Sequence, residues 1–194
     1  MKKIFIDTNI LLDVILHRAD FYQQAAAIWA DCESRKVQGY VSAISLNNMH
    51  YIMRKKVDSD TALEYVRLVL NVFSIVPLDE SILRLAVDLP QKDFEDAIQT
   101  FSAVQIKADC IVTRDKSHFS NHYMPVISPI EYVDFFQWYF HKIMQRQGRG
   151  ALQSDRLRNE QTVIDMIVAQ ISNKGHIEHF RMTGSTSIMR IQTI

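Results

Sequence analysis

KDFEDAIQTFSAVQIKADCIVTRDKSHF, residues 92–119, is the stretch from which the rest of the chain can be read. Asp93 and Asp96 open a segment in which Ala97, Phe101, Val104 and Ala108 recur at helical spacing. After Asp109, Cys110-Ile111-Val112-Thr113 has the length and apolar character of a core strand, and Arg114-Asp115 follow where strand gives way to loop. In an open α/β sheet, ligands bind outside the carboxyl ends of the strands. A second strand-then-acid unit stands at the N-terminus, Lys3-Ile4-Phe5-Ile6-Asp7-Thr8-Asn9. Two such strands side by side place Asp7 and Asp115 together, with Asp96 close by.

Outward from these units the chain alternates between the two periods. Asn9 to Leu16 is too apolar for a surface helix, and Thr8 or Asn9 is the expected N-cap. Asp20 to Lys36 buries Ala25, Ile28, Trp29 and Cys32 in helical steps, and Val37 to Ser42 reads as a short strand. Ile44 to Met53 and Asp60 to Phe73 are helical, Ser74 to Leu78 is a strand, and Asp79 to Leu89 is a helix stopped by Pro90. A short strand at Pro125 to Ile127 precedes a helix capped by Ser128 with Pro129 at its first position. This order predicts an α/β sandwich, a mostly parallel central sheet flanked by helices.

The 194 residues, 47% hydrophobic and 23% charged, have the make-up of a globular protein with a real core. No apolar run approaches the roughly 20 residues of a membrane span, and Lys2-Lys3 leads into too short an apolar run for a secretory leader. Cys32 and Cys110 lack the paired spacing of a zinc site or a disulfide framework, so a reducing cytoplasm is the simplest compartment. The net charge of zero hides an asymmetry. Residues 1–140 carry 14 Lys and Arg against 18 Asp and Glu, and residues 141–194 carry 8 against 4. An acidic body argues against broad electrostatic binding of nucleic acid and fits a carboxylate pocket that needs a metal before it approaches a phosphate. The change of character, with Gln147-Gly148-Arg149-Gly150 as a linker, divides the chain into a domain at 1–140 and a basic extension at 141–194. Within the extension, Asp155 to Ile171 has the pattern of one amphipathic helix.

Three acids on different elements suit a hard divalent ion. Such an ion takes oxygen ligands, lowers the pKa of a bound water and stabilises charge on a phosphodiester. Each acid also has an ordinary structural role: Asp93 as an N-cap, Asp96 as a first-turn complement to the helix dipole, Asp115 as a turn residue. Thr8, Asn9, Asp93 and Thr113 stand beside the acids, where side-chain hydrogen bonds would orient them. His118 and His122 have a spacing that zinc sites use on helices, but without a helical pattern a surface loop is the expectation.

Four segments, Ile4 to Asp13, Val41 to Asn48, Asp93 to Ala97 and Ile111 to Asp115, resemble the four motifs of PIN-domain ribonucleases in order. The resemblance covers residues 2 to about 136. It implies a metal-dependent, single-strand-directed ribonuclease using Mg2+ or Mn2+, very often the toxin of a VapBC-type toxin–antitoxin pair. It also implies an antitoxin protein as partner and a two-fold homodimer. Carried over by motif, Asp7, Asp96 and Asp115 match the family's acids, and Asn48 falls where the family usually has Glu. An amide ligates magnesium but brings no charge and cannot act as a base. A catalytically weak or inactive PIN-like module that binds RNA or a partner protein is therefore the alternative. In that setting Asp93 or Glu95 could supply the missing carboxylate, although Glu95 is turned about 100° from Asp96 on a helix. A haloacid-dehalogenase-like phosphotransferase also begins with a strand and Asp, but it needs a second Asp where Asn9 stands.

Overall fold

The computed structural model describes residues 2–89, 93–120 and 122–135. The expected helix at 155–171 and the domain boundary at 140 lie outside them. Five strands, β1 (Lys3–Ile6), β2 (Gln38–Ser42), β3 (Ser74–Val76), β4 (Cys110–Val112) and β5 (Val126–Ile127), form one sheet in the order β3-β2-β1-β4-β5. Every pairing is parallel, with Phe5 opposite Tyr40 on one side and Ile111 on the other. The sequence-based expectation of a mostly parallel sheet is met, and sharpened to a wholly parallel one among the described residues.

Six helices connect the strands: α1 (Thr8–Ile15), α2 (Tyr22–Glu33), α3 (Ala43–Met53), α4 (Ser59–Val72), α5 (Glu80–Asp88) and α6 (Phe94–Gln105). A further helical stretch covers 129–135. Residues of a strand alternate between faces, and the two faces of this sheet carry separate layers. Phe5, Ile111, Val76 and Val126 join Ile82, Ala86, Ile98 and Phe101 of α5 and α6 in one core cluster. Ile4, Ile6, Val41, Cys110 and Val112 are also buried, and their alternation turns them to the opposite face. The helices α1 to α4 pack on one another, separately from the α5–α6 pair. Burial on both faces is why the strands read as apolar runs and not as alternating ones.

Local chemistry sets the helix ends. The expected cap of α1 is corrected: Asp7, not Thr8 or Asn9, is the N-cap, its carboxylate accepting from the Asn9 backbone N–H, and Thr8 is already helical. Asp58 caps α4 through the N–H groups of Asp60 and Thr61, and Asp79 caps α5 through that of Ile82. Ser128 and Glu131 bond each other's backbone N–H groups, the reciprocal capping box that starts the stretch at 129–135. The Tyr132 hydroxyl then reaches Asp31 of α2 at 3.3 Å. Gly39 is required by close approach, because a Cβ there would stand 2.6 Å from Cys32 Sγ and 2.7 Å from Phe73 Cδ1. Among the described residues no helix is long and apolar enough to cross a membrane, and both cysteines are buried free thiols.

Strand order decides where chemistry belongs. The chain steps outward from β1 to β2 to β3, then returns to lay β4 on the other side of β1. The order therefore reverses between β1 and β4, and the crevice outside the carboxyl ends of those two strands is where such sheets bind ligands.

Candidate metal centre at the sheet's switch point

Asp7 is the residue immediately after β1, and its backbone N–H still pairs with Val112 of β4. Its side chain is 5% exposed. The Thr113 hydroxyl donates to Asp7 Oδ2 at 2.6 Å, and the Asn9 amide donates to the same oxygen. Thr113 is fully buried, and its hydroxyl also accepts from Asn9 Nδ2 at 3.2 Å and from the Asp115 N–H at 3.0 Å. All three bonds a hydroxyl can make are used. One threonine thus links the acid after β1 to the acid after β4. Asn9 Oδ1 accepts from the Arg114 N–H at 3.4 Å, a second tie between the same two loops.

Asp96 lies in the first turn of α6, behind the Asp93 cap, which accepts from the Glu95 N–H at 2.8 Å. Asp115 is half exposed after β4, and its Oδ1 accepts from the Ser117 hydroxyl. Between these two acids stands the His118 imidazole, Nδ1 3.2 Å from Asp96 Oδ2 and Nε2 3.3 Å from Asp115 Oδ2. The expected surface loop at His118 is in fact a 3-10 turn, Lys116–His118, that aims the ring into the acid cluster. His122 makes no such approach and rests edge-on against Tyr123.

The acids feel one another. Burial pushes the Asp96 carboxyl up to about 7, helped by the charges of Asp7, Asp93 and Glu95 and opposed by His118. Burial likewise raises Asp7, against the hydrogen bonds from Thr113, Gln99 and Asn9, and Glu95 raises it further. Deprotonated carboxylates here are held at a cost that a cation would relieve.

Sequence reading leaves out Gln99, pairs His118 with His122 instead of with the acids, and turns Glu95 away from Asp96. Gln99 is 1% exposed on α6, hydrogen-bonds Asp7 and lies 3.5 Å from Glu95 Oε1 through its Nε2. His118 follows Asp115 by one 3-10 turn, a spacing that carries no motif signal. Glu95 does reach the cluster: its Oε1 accepts from the Thr8 hydroxyl at 3.0 Å. A helical angle of about 100° separates it from Asp96, but side chains of a first turn tilt toward the N-terminus, where both flank the same opening. Asn48 sits half-buried on α3, which begins directly after β2, and no polar contact among the described residues joins it to the acids. Asp93 stays exposed at its cap and acts on Asp96 through charge alone.

Behind the site, Asp13 is fully buried and pairs with Arg18 at 3.1 Å and with Arg114 at 2.9 Å. Arg114 also lies over the Phe21 ring, so the loop carrying Asp115 is clamped to α1. Among the described residues, no three His, Cys, Asp or Glu side chains already cage a point. The donors nonetheless fit a hard divalent ion. They are carboxylate and amide oxygens, burial raises the carboxyls of Asp7 and Asp96, and one buried acceptor, Gln99 Oε1, lacks a hydrogen-bond partner among the described residues.

Known proteins agree with this architecture. Ribonuclease VapC1 of Aquifex aeolicus (strain VF5) is 24% identical over 124 residues, 61% of this chain and 85% of that protein. The solved structure of DNA-bound VapBC from Salmonella typhimurium superposes with a TM-score of 0.53 at 16% identity, over 66% of this chain and 99% of that one. FitAB bound to the IR36 DNA fragment gives 0.52 at 20% identity, over 65% and 94%. The family model described as PIN domain matches residues 3–117, which sets aside the dehalogenase-like alternative. With all four segments inside that span, which is more than half of the chain, the chain belongs to the PIN domain family.

Proposed function

We propose that the chain is a metal-dependent endoribonuclease that hydrolyses RNA phosphodiesters at the β1–β4 switch point. The observation that supports this reading is the placement of Asp7, Asp96 and Asp115 at a strand end, a helix start and a second strand end, with the charge of Asp7 acting on Asp96, His118 standing between Asp96 and Asp115, and Thr113 linking Asp7 to the Asp115 backbone. Asp7, Asp96 and Asp115 would hold Mg2+ or Mn2+. When bound, such an ion supplies an activated water and neutralises charge on the phosphodiester. Thr113 and Asn9 fix the orientation of Asp7, and the backbone of Asp115 is fixed through the same Thr113 hydroxyl. His118, half exposed between Asp96 and Asp115, is placed to carry a proton at an imidazole nitrogen between the pocket and solvent.

The relative from Aquifex supports the ribonuclease class, and the VapBC and FitAB structures support assembly with an antitoxin protein. A cytoplasmic setting suits an RNA substrate and two free thiols. Exposed apolar side chains on the outer helices, Leu85 and Val87 on α5 and Phe94 on α6, support a homodimer. Light scattering that gave one chain's mass at every concentration would remove the dimer.

A second reading is a weak or inactive module that binds RNA or a partner, and Asn48 in place of an acid favours it. Incubating purified protein with single-stranded RNA and Mn2+ separates the two. Cleavage that stops with chelator or with Asp7→Asn supports the nuclease; binding without cleavage at any metal concentration supports the module.

A further inference from the structure

Glu95 begins as an ordinary helix-start residue, but three hydrogen bonds and the reach of its charge place it in the pocket. Its N–H is held by the Asp93 cap at 2.8 Å, which fixes the backbone from which the side chain departs. Its Oε1 accepts from Thr8 Oγ1 at 3.0 Å, and Thr8 is the chain neighbour of Asp7. Gln99, one turn further along α6, lies against Glu95 through its amide and also bonds Asp7. The charge of Glu95 acts on both Asp7 and Asp96.

Gln99 gives the independent sign of a ligand. Its side chain is 1% exposed, yet its Oε1 has no hydrogen-bond partner among the described residues. A buried acceptor left without a donor is destabilising. On a side chain that already touches Glu95 and Asp7, this free oxygen is a group that can share a cation with their carboxylates. The position that the family fills with a charged side chain on α3 holds the neutral Asn48 here, so the pocket as expected from the motifs is one charge short.

We propose that Glu95 supplies the missing charge, holding the divalent ion from α6 together with Asp7, Asp96 and Asp115, with Gln99 as the neighbouring amide ligand. This rests on the metal-dependent reading above. The competing role for Glu95 is purely structural, tying α6 to α1 through Thr8. Glu95→Gln separates them, because an amide oxygen still accepts from Thr8 while the charge is gone.

The experiment is calorimetric titration of the full chain with Mn2+ alone, alongside thermal melts of the metal-free proteins. The proposal predicts that Glu95→Gln weakens Mn2+ binding about 10-fold or more, the scale seen when a metal site loses a supporting group. Asn48→Glu added to that variant is expected to restore affinity to within about threefold of wild type, since one charge replaces another beside the same dication. If Glu95→Gln binds within about twofold of wild type while Asp96→Asn does not bind, Glu95 is structural and the nuclease reading survives alone. If wild type takes up no Mn2+ at millimolar concentration, both fall. Should Glu95→Gln not fold, Asn48→Glu alone decides: a gain below about threefold fits a pocket whose charge is already complete, and a gain of about tenfold or more shows that Glu95 was not supplying it.

Discussion

The Thr113 hydroxyl donates a 2.6 Å hydrogen bond to Asp7 Oδ2 across 106 residues of sequence, and Thr113 Oγ1 in turn accepts from the Asp115 N–H at 3.0 Å. The two acids that flank the switch point are therefore oriented through one buried atom. Thr113→Val keeps the shape and removes all of these bonds. It is expected to weaken Mn2+ binding and RNA cleavage together by about 10–100-fold, with Thr113→Ser close to wild type. Parallel metal titration and cleavage assays check it; an unaffected valine variant would mean that Asp7 needs no such support.

A pH dependence follows from Asp96. Its carboxyl is raised from 3.8 to about 7 in the fold, so the stability that the protonated group permits is fully present below pH 3.8 and is lost as pH rises through about 7. Asp7 is shifted in the same direction by its burial. Metal-free Asp96→Asn is therefore expected to melt higher than wild type at pH 8 and alike at pH 4. Added Mn2+ should raise the wild-type melting temperature at pH 8 and leave the variant nearly still. Melting curves at the two pH values decide; a variant less stable than wild type at pH 8 would show that Asp96 gains more from His118 than it loses to burial.

The buried clamp behind the site has a cost when broken. Arg114→Met leaves the fully buried Asp13 with Arg18 as its remaining partner and frees the loop that carries Asp115. Loss of one partner from a buried pair costs about 3–5 kcal/mol when nothing compensates, and with Arg18 still paired to Asp13 the cost is expected below that range. Denaturant unfolding gives the number. Asp13→Asn, which removes the buried charge itself, should cost less than Arg114→Met if this account of the clamp is right.

Gly39→Ala tests the packing of α2 on the sheet. The new methyl would meet Cys32 Sγ at 2.6 Å and the Phe73 ring at 2.7 Å, both in the buried core. Overpacking of this kind costs about 1–3 kcal/mol. Pairing it with Cys32→Ala, which vacates the nearer contact, should recover part of the loss in a double-mutant cycle.

How much of this was legible beforehand depends on the range of the forces involved. The strands were readable because Ile4 to Ile6 and Cys110 to Val112 are buried on both faces and so form unbroken apolar runs. The acids were readable because each follows a strand or opens a helix, positions that topology alone brings to one edge. The Asp7 cap was misassigned, since an acid directly after a strand can both cap the next helix and face the switch point, and local sequence does not separate the two. Glu95 was judged by helical angle, which neglects the N-terminal tilt of first-turn side chains. Gln99 carries no sequence signal, and His118, read only for its spacing to His122, has its partner Asp96 on another element; no spacing rule encodes a contact made only by the fold.

The most direct test of the central claim is anomalous diffraction from a crystal soaked in Mn2+. The account predicts one principal peak at the switch point, in contact with carboxylate oxygens of Asp7, Asp96 and Asp115. A principal peak elsewhere on the molecule, or these three carboxylates turned to separate surfaces, would contradict it.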